Sequence, residues 1–282
     1  MNVSRLLLLG AVAIGLAACG DDGPTSVQTA PQSYVRFINA ARDTGVVDLV
    51  FVDKVENLPT FFNVPFRGVT GYHLPVNAGN RQVRLFASVD PNHTEVPTPV
   101  LIETALELQA NKYYTLMAVG EARKSGAEGI RLVLMEDVFP AQPAEVGVRL
   151  VHAATGVANV DAYVMPDGST GLGSPVAGPI GGVAFLAASQ WVTVPATAAG
   201  TLYRVAVTPA GSTMIIADAT PNLPGAAAAP PLDAVAGVRV KGSLLTAFVV
   251  PGAIPGSRAA TASNTTPSVV LTGDRNPARA SQ

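Results

Sequence analysis

The sequence predicts an all-β fold, arranged as two tandem immunoglobulin-like β-sandwich domains. Three observations lead to this prediction. Charged residues make up only 13% of the chain, while it contains 27 glycines and 23 prolines, a composition typical of short strands joined by turns. Apolar and polar residues alternate in several segments, as in 83–88, which is typical of strands with one buried face. The two halves of the chain also repeat each other.

The repeat is clearest where each half begins. Residues 35–48 read VRFINAARDTGVVD and residues 148–161 read VRLVHAATGVANVD, with the same residue at six of 14 positions. Three later matches follow in the same order: 72–87 with 192–207, 113–120 with 244–252, and 132–137 with 269–274. Four ordered matches indicate an internal duplication.

The domain organisation follows from the duplication. We expect a signal peptide at 1–18, a lipidated cysteine and flexible tether at 19–33, β-sandwich repeat 1 at 34–140, a linker at 141–147, β-sandwich repeat 2 at 148–275, and a disordered tail at 276–282. In repeat 1 the pattern predicts strands at 34–39, 47–53, 69–75, 81–88, 99–107, 112–119 and 129–136. Seven strands in about 100 residues is typical of an immunoglobulin-like sandwich. The alanine- and proline-rich stretch 222–236 is interpreted as a loop.

The amino terminus resembles the leader of a bacterial lipoprotein. Arg5 precedes an apolar stretch that is too short to span a bilayer, and the stretch ends in Leu-Ala-Ala-Cys at Cys19. The resemblance implies cleavage between Ala18 and Cys19 and lipid on the cysteine thiol, which would anchor the chain in a membrane. The alternative is an ordinary signal peptide followed by a coincidental cysteine. Gly20 in place of aspartate favours the outer membrane if the cell is Gram-negative.

Composition excludes several classes of function. The net charge of −2 and a sequence pI near 5.9 leave no basic surface for nucleic acid. Because Cys19 is the single cysteine, the chain can form neither an internal disulfide nor a thiolate metal cluster. We therefore expect no metal and no cofactor.

The opening of each repeat resembles a known family. Each copy opens with Val-Arg-x-x-x-Ala-Ala followed by Val-Asp. His152 precedes the alanines of the second copy, and Tyr114-Thr115 lies in a later strand of the first. This pattern is similar to that of the bacterial and archaeal domain of unknown function 4397 (DUF4397). Asn39 stands where the second copy has His152, and Leu245-Thr246 replaces Tyr-Thr. The resemblance implies a β-rich exported domain, often in tandem, with no established activity and no catalytic residue to transfer.

No catalytic motif stands out in the chain. The histidines His73, His93 and His152 lack the partner spacing of a zinc protease, so we expect structural or solvated roles for them. Ser169 lies in a turn without the glycine spacing of a nucleophile elbow. The glycine-rich stretch 178–182 lacks the lysine of a phosphate loop.

The recurrent polar residues are Arg36 with Asp48 in the first repeat and Arg149 with Asp161 in the second. If their strands are neighbours, each pair can form a cross-strand ion pair, or the aspartate can accept backbone N–H bonds and fix a loop. Calcium is the alternative. The loop 41–45 offers too few carboxylates for it, and 155–159 offers none, so the structural roles are favoured.

These patterns favour a non-enzymatic cell-envelope lipoprotein that displays its sandwiches for binding, adhesion or spacing. Its partner would be a glycan or an envelope protein, and the sequence does not specify an oligomeric state. Aromatic residues such as Trp191 and Tyr113 are available to stack on sugars, although such residues also fill cores. The alternative is an envelope hydrolase with a dispersed site assembled from residues such as His152, Asp161 and Asp167.

Overall fold

The structure is a computed structural model that describes residues 30–54, 61–71, 73–88, 99–141, 145–196, 203–220 and 241–275. The predicted signal peptide, Ala18, Cys19, most of the tether, His93, the loop at 222–236 and the tail at 276–282 lie outside the described residues. No helix within the described ranges is long and apolar enough to cross a bilayer.

Within its described residues, the first repeat is a β-sandwich of eight strands. They are β1 (Gln32–Ala41), β2 (Val47–Phe51), β3 (Phe61–Val64), β4 (Leu74–Asn77), β5 (Gly79–Ala87), β6 (Val100–Leu108), β7 (Tyr113–Gly120) and β8 (Arg131–Glu136). A single 3-10 turn, Gly126–Glu128, lies between β7 and β8. One sheet has the order β4-β1-β7-β8 and the other β3-β2-β5-β6. The side chains that the two sheets enclose form the first core, which includes Phe37, Leu49, Leu85 and Leu116.

The second repeat has the same architecture. Its strands are β9 (Val146–His152), β10 (Val160–Pro166), β11 (Ala177–Val183), β12 (Val192–Val194), β13 (Tyr203–Pro209), β14 (Ala217–Ala219), β15 (Leu244–Val250) and β16 (Ser268–Arg275). The sheet orders, β12-β9-β15-β16 and β11-β10-β13-β14, match those of the first repeat strand for strand. The predicted all-β fold of two tandem sandwiches is therefore confirmed.

The strand predictions differ from the structure in two places. The stretch predicted as a strand at 69–75 is extended only at its end, in β4, while Val69 makes an isolated bridge to Ile38. Strand β3 was not predicted, because the short segment FFNV carries little alternation and its pairing with β2 is irregular. Strand β1 begins at Gln32 and β9 at Val146, each slightly before the predicted start of its repeat.

Four strands at the centre of the molecule are buried on both faces. In each repeat the first strand pairs in parallel with the seventh, β1 with β7 and β9 with β15. Nearly every residue of these strands is buried. One face packs in its own sandwich, and the other packs on the neighbouring repeat. This double burial explains why these segments read as continuous apolar runs, whereas β5 alternates.

An apolar interface joins the two sandwiches. Its core contains buried side chains from the four central strands and from Ala153, which directly follows β9: Ile38, Ala40, Met117, Val119, Val151, Ala153, Phe248 and Val250. The residues from β9 and β15 stand at the positions equivalent to those from β1 and β7, so the two repeats present the same face to each other. Such a self-complementary arrangement is typical of a twofold dimer interface. Here one chain supplies both sides, and residues 31–282 form one compact unit.

The arginine and aspartate of the repeated motif have separate neighbours. Strands β1 and β2 belong to different sheets, as do β9 and β10, so the predicted cross-strand ion pair is replaced by other contacts. Asp48 accepts a hydrogen bond from the Asn63 N–H at 2.6 Å. Asp161 accepts one from the Gly182 N–H at 2.6 Å through Oδ1 and one from the Gly211 N–H at 2.8 Å through Oδ2. Each aspartate accepts a backbone N–H bond from the neighbouring strand of its sheet, β3 or β11, and Asp161 also accepts one from the turn after β13.

Replacing Asp161 by asparagine tests whether the hydrogen bonds from the two backbone N–H groups stabilise the fold. An asparagine offers one oxygen where two backbone N–H groups need acceptors, and its NH2 group would face a donor. We expect Asp161→Asn to lower the free energy of unfolding of the mature chain by about 1–3 kcal/mol in denaturant titrations. Asp167→Asn is the matched control, because Asp167 is exposed and accepts a hydrogen bond from the N–H of its neighbour Gly168. Equal midpoints for the two variants would contradict this stabilisation.

Candidate functional site

Two arginines and two aspartates meet at one end of the interface. Arg36 Nη1 lies 2.5 Å from Asp274 Oδ1, and Arg149 Nη2 lies 2.5 Å from Asp137 Oδ1. Each arginine therefore lies closest to the aspartate of the other repeat, and at 3.6 or 3.7 Å from the aspartate of its own. The four side chains are at most 3% exposed. We call Arg36, Asp137, Arg149 and Asp274 the exchanged ion pairs.

A threonine in each repeat connects the two exchanged pairs. Strand register places Thr115 beside Arg36, and Arg36 Nε donates to Thr115 Oγ1 at 2.9 Å. The Thr115 hydroxyl then donates to Asp137 Oδ2 at 2.6 Å. The second repeat repeats these bonds: Arg149 Nε donates to Thr246 Oγ1 at 2.8 Å, and the Thr246 hydroxyl donates to Asp274 Oδ2 at 2.6 Å. Each aspartate thus receives a hydroxyl from its own repeat and a guanidinium from the other.

His73 breaks this symmetry. Its Nε2 lies 2.7 Å from Asp137 Oδ2, whereas the aligned position in the second repeat is Thr193. Burial opposes ionisation of Asp137, but the hydrogen bond from His73 and the charges of Arg149 and Arg36 outweigh it. Together they hold the pKa of this carboxyl well below its ordinary value of 3.8. Asp137 is therefore a permanent carboxylate near neutral pH and has no proton to donate as a general acid.

The charges at this end of the interface balance. Two guanidinium groups face two carboxylates, so the burial of four charged groups leaves no excess of either sign. Isolated buried charges are costly, and a buried ion pair is tolerated only when its remaining hydrogen-bonding groups are also met. The threonine hydroxyls and His73 supply such bonds to the carboxylates, whereas Arg36 Nη1 and Nη2 meet Asp274 and Asp137 only as ion-pair contacts at 2.5 and 3.6 Å. Removal of one member would leave the opposite charge buried in the interface without its nearest partner.

An aromatic cluster surrounds the exchanged ion pairs. The Tyr113 ring stacks on Tyr34 at 4.7 Å between centroids and meets the edge of Phe139 at 5.3 Å. Trp191, from the second repeat, lies 6.1 Å from Phe139, and its indole N–H donates to the Val138 carbonyl at 3.0 Å. The Arg149 guanidinium lies over the Trp191 ring at 4.7 Å, a cation–π contact.

A pocket of about 430 Å³ opens beside this cluster. We call it the seam pocket, because residues of both repeats line it: Asn111, Lys112, Tyr113, Glu136, Asp137, Val138, Phe139 and Asp274. Its volume falls in the range usual for small-ligand sites, roughly 300–1,000 Å³. The two aspartate side chains are fully buried behind its wall, whereas the Tyr113, Lys112, Glu136 and Val138 side chains are exposed to solvent.

The opposite end of the interface is held by Arg67. Its guanidinium donates to the Pro251 carbonyl at 3.0 Å, to the Asn264 carbonyl at 2.9 Å, and to the Thr266 carbonyl. These three carbonyls belong to the loop between β15 and β16. The same loop donates from the Ile254 N–H to the Arg42 carbonyl at 2.9 Å. The two repeats are therefore connected at both ends of their apolar interface.

Asn39 and His152, which differ between the repeats, perform the same task. Asn39 Nδ2 donates to the Gly45 carbonyl at 2.8 Å, and its Oδ1 accepts from the Ala41 N–H at 3.2 Å. His152 Nδ1 accepts from the Ala154 N–H at 3.2 Å, so the proton lies on Nε2, which donates to the Ala158 carbonyl at 2.9 Å. Burial lowers the pKa of His152 below its ordinary value of 6.5, although the Ala158 and Val157 carbonyls act in the opposite direction.

The residues considered for a hydrolase are occupied elsewhere. His152 donates to the Ala158 carbonyl, Asp161 accepts from the Gly182 N–H, and Asp167 lies exposed in a turn. Asp43, from the loop considered for calcium, accepts from the Ala122 N–H at 2.7 Å and from the Arg123 N–H at 3.1 Å. Among the residues that the structure describes, no three histidine, cysteine, aspartate or glutamate side chains form a group that could hold a metal ion.

Sequence reasoning missed the exchange of partners between repeats. It identified Arg36 and Arg149 as recurrent, and it aligned Asp137 with Asp274, but it did not connect these positions. The signal was present in the alignment: arginine, threonine and aspartate recur together at equivalent positions of the first, seventh and eighth strands of each repeat. A polar residue that recurs in an otherwise apolar strand indicates a buried partner.

Comparison with known proteins identifies the domain type. Residues 32–163 match the family described as "Domain of unknown function (DUF4397)", as the sequence resemblance predicted. No curated protein matches the chain. Among solved structures, the carbohydrate-binding module CBMbc (family CBM26) of Eubacterium rectale Amy13K in complex with maltoheptaose is similar, with 9% identity and a TM-score of 0.21 over 78% of this chain and 93% of that one. A TM-score this low carries no argument about ligand or mechanism.

Alanine substitutions at Arg36 and Asp274 test the exchanged ion pairs. Each single variant leaves a buried charge without its partner, and the double variant removes both. We expect each single substitution to cost about 3–5 kcal/mol of unfolding free energy. The double substitution should cost clearly less than the sum of the two, which a double-mutant cycle in denaturant measures. The exposed pair Lys124–Glu128 is the control and should show coupling of about 0.5 kcal/mol or less. Additive losses at Arg36 and Asp274 would contradict the pairing.

His152→Asn tests the equivalence of His152 and Asn39, and the pH dependence follows from the lowered pKa. Because the folded protein binds the His152 proton more weakly than the unfolded chain, stability is lost as pH falls below the unfolded value of 6.5. Asparagine keeps both hydrogen bonds and does not titrate. We expect the thermal midpoint to fall less between about pH 7.5 and about pH 5 in His152→Asn than in the unmodified chain. Identical pH profiles would show that His152 is not buried as a neutral imidazole.

Proposed function

We propose, from the match of residues 32–163 to the DUF4397 family, that the protein is a non-enzymatic binding protein of the cell envelope. A lipid on Cys19 anchors it to the membrane, the outer membrane if the cell is Gram-negative. The two β-sandwiches belong to one compact unit, residues 31–282. The seam pocket between them is the binding site.

The seam pocket is the observation on which the proposal depends. Seven of its eight lining residues belong to the first repeat and Asp274 belongs to the second, so the second repeat contributes to its wall. The exchanged ion pairs and the aromatic cluster fix its walls before any ligand arrives. A preformed pocket loses little conformational freedom when it binds a ligand, which favours recognition. The preformed walls of the seam pocket therefore support a binding role.

The state of the charged groups favours binding over catalysis. Asp137 is the carboxylate with a strongly lowered pKa. Its charge is paired with arginines, and its side chain is fully buried. Groups that act in acid–base catalysis need a pKa near the working pH and access to the substrate. Asp137 meets neither requirement. His152 was considered for a hydrolase site and also has a lowered pKa. Its imidazole hydrogen-bonds its own loop.

The leader sequence supports export and anchoring. The apolar stretch that follows Arg5 is of signal-peptide length, and the single cysteine of the chain stands at the position that lipid attachment requires. A thioether-linked diacylglycerol supplies at least two acyl chains, which is enough for lasting attachment. The polar residues after Cys19 contain glycine and proline, a composition that suits a tether.

Labelling with radioactive palmitate tests the anchor. We expect the full-length chain to incorporate the label and to sediment with membranes. Cys19→Ser should lose the label and leave the membrane fraction, because the thiol that accepts the lipid is gone. Ser4→Cys combined with Cys19→Ser is the control, since it restores a thiol at a position without the Leu-Ala-Ala context, and it should remain unlabelled. Label or membrane association that survives in Cys19→Ser would contradict the anchor.

A further inference from the structure

We propose that the seam pocket binds a neutral saccharide of a few sugar rings. The inference rests on the proposed binding role and names the class of ligand for the same site. It depends on three properties of the pocket walls: their charge balance, the exposed ring of Tyr113, and the polar side chains at the rim.

The charges in and behind the walls occur in opposite pairs. At the rim, Lys112 Nζ lies 2.7 Å from Glu136 Oε1. Behind the wall, Asp137 and Asp274 are matched by Arg149 and Arg36. A charged ligand must lose hydration on entry, and it gains a favourable site only where an opposite charge is unmatched. These walls offer no such excess, so they favour a ligand without net charge.

Within the aromatic cluster, Tyr113 is the exposed ring at the seam pocket, although His73 and Phe139 also meet it edge to face. Arg149 already covers a face of Trp191, and Phe139 packs between Tyr113, His73 and Trp191. Tyr113 stacks on Tyr34 with one face, and 37% of the residue remains exposed. Val138, which is 68% exposed, adds apolar surface beside it. A sugar ring presents an apolar face of C–H groups that suits this surface.

The rim supplies hydrogen bonds for the hydroxyl groups of such a ring. Asn111 contributes an amide that both donates and accepts, while the exposed Lys112 and Glu136 contribute a donor and an acceptor. An apolar ligand would remove water from the Lys112–Glu136 ion pair and offer no hydrogen bonds in its place. A saccharide replaces water with hydroxyls. Pockets with an apolar wall and a few placed polar groups orient ligands of this mixed character.

The test is calorimetric titration of the mature chain with trisaccharides of equal length. Maltotriose, cellotriose and mannotriose are the neutral probes, while trigalacturonic acid and the glucosamine trimer carry negative and positive charge. We expect at least one neutral probe to bind, and to bind at least about tenfold more tightly than either charged probe.

Four variants locate the site. Tyr113→Ala removes the ring and should weaken binding of the neutral probe at least about tenfold, while Tyr113→Phe keeps the ring and should stay within about threefold. Val138→Asp places an unmatched charge on an exposed position and should weaken binding without a loss of stability. Tyr163→Ala is the control, because this half-buried tyrosine lies on β10, away from the pocket lining, and its loss should leave affinity unchanged.

The outcomes separate the inference from the proposed function. Tighter binding of a charged probe, reduced by the Tyr113→Ala and Val138→Asp variants, would overturn the neutral-saccharide class and keep the binding role. Binding of a neutral probe that neither variant weakens would overturn the site. Failure of every saccharide would overturn the inference, and the proposed binding role would fall as well only if arrays of envelope proteins were also silent.

Discussion

The structure depends on an exchange of ion pairs between two copies of the same domain. Each repeat contributes an arginine on its first strand, a threonine on its seventh and an aspartate at the end of its eighth. The arginine lies closest to the aspartate of the other copy, at 2.5 Å, and farther from that of its own copy, at 3.6 or 3.7 Å. Because these groups are buried, an unpaired repeat would expose the apolar side chains beside them and leave its guanidinium without an ionic partner in the opposite domain. We therefore expect pairing to stabilise each repeat.

This pairing accounts for features that lie far from the charges. The central strands read as continuous apolar runs because they serve a sandwich core on one face and the partner repeat on the other. Ala40 and Ala153 are small where the two repeats meet, and Arg67 fastens a loop of the second repeat at the far end. The seam pocket is a consequence of the same pairing, since Asp274 of one repeat lies behind a wall formed mainly by the other. Fold and candidate site thus share one cause.

The architecture was largely predictable from sequence, and the site was not. Alternation in β5 and the turn residues predicted strands, and the four ordered matches predicted the duplication, because both depend on local sequence. The partner of Arg36 is Asp274, 238 positions away, and a pattern within one strand carries no information about which sheet will face it. The pair Arg36 and Asp48 looked plausible because the residues are close in sequence, yet their strands lie in different sheets. The seam pocket combines residues from two segments of the first repeat and one of the second, so only the assembled structure brings them together.

The central claim is that the two repeats associate through matching faces and do not need the covalent linker. Replacing Gln142–Ala144 with a protease recognition sequence allows the linker to be cut after folding, and size-exclusion chromatography with light scattering then measures the mass in solution. The account requires the cut halves to remain a single particle with the mass of the uncut chain in low salt. It also requires that particle to separate into halves when Arg36→Ala and Arg149→Ala are introduced together. Halves that separate on cleavage of the otherwise unmodified chain would contradict it.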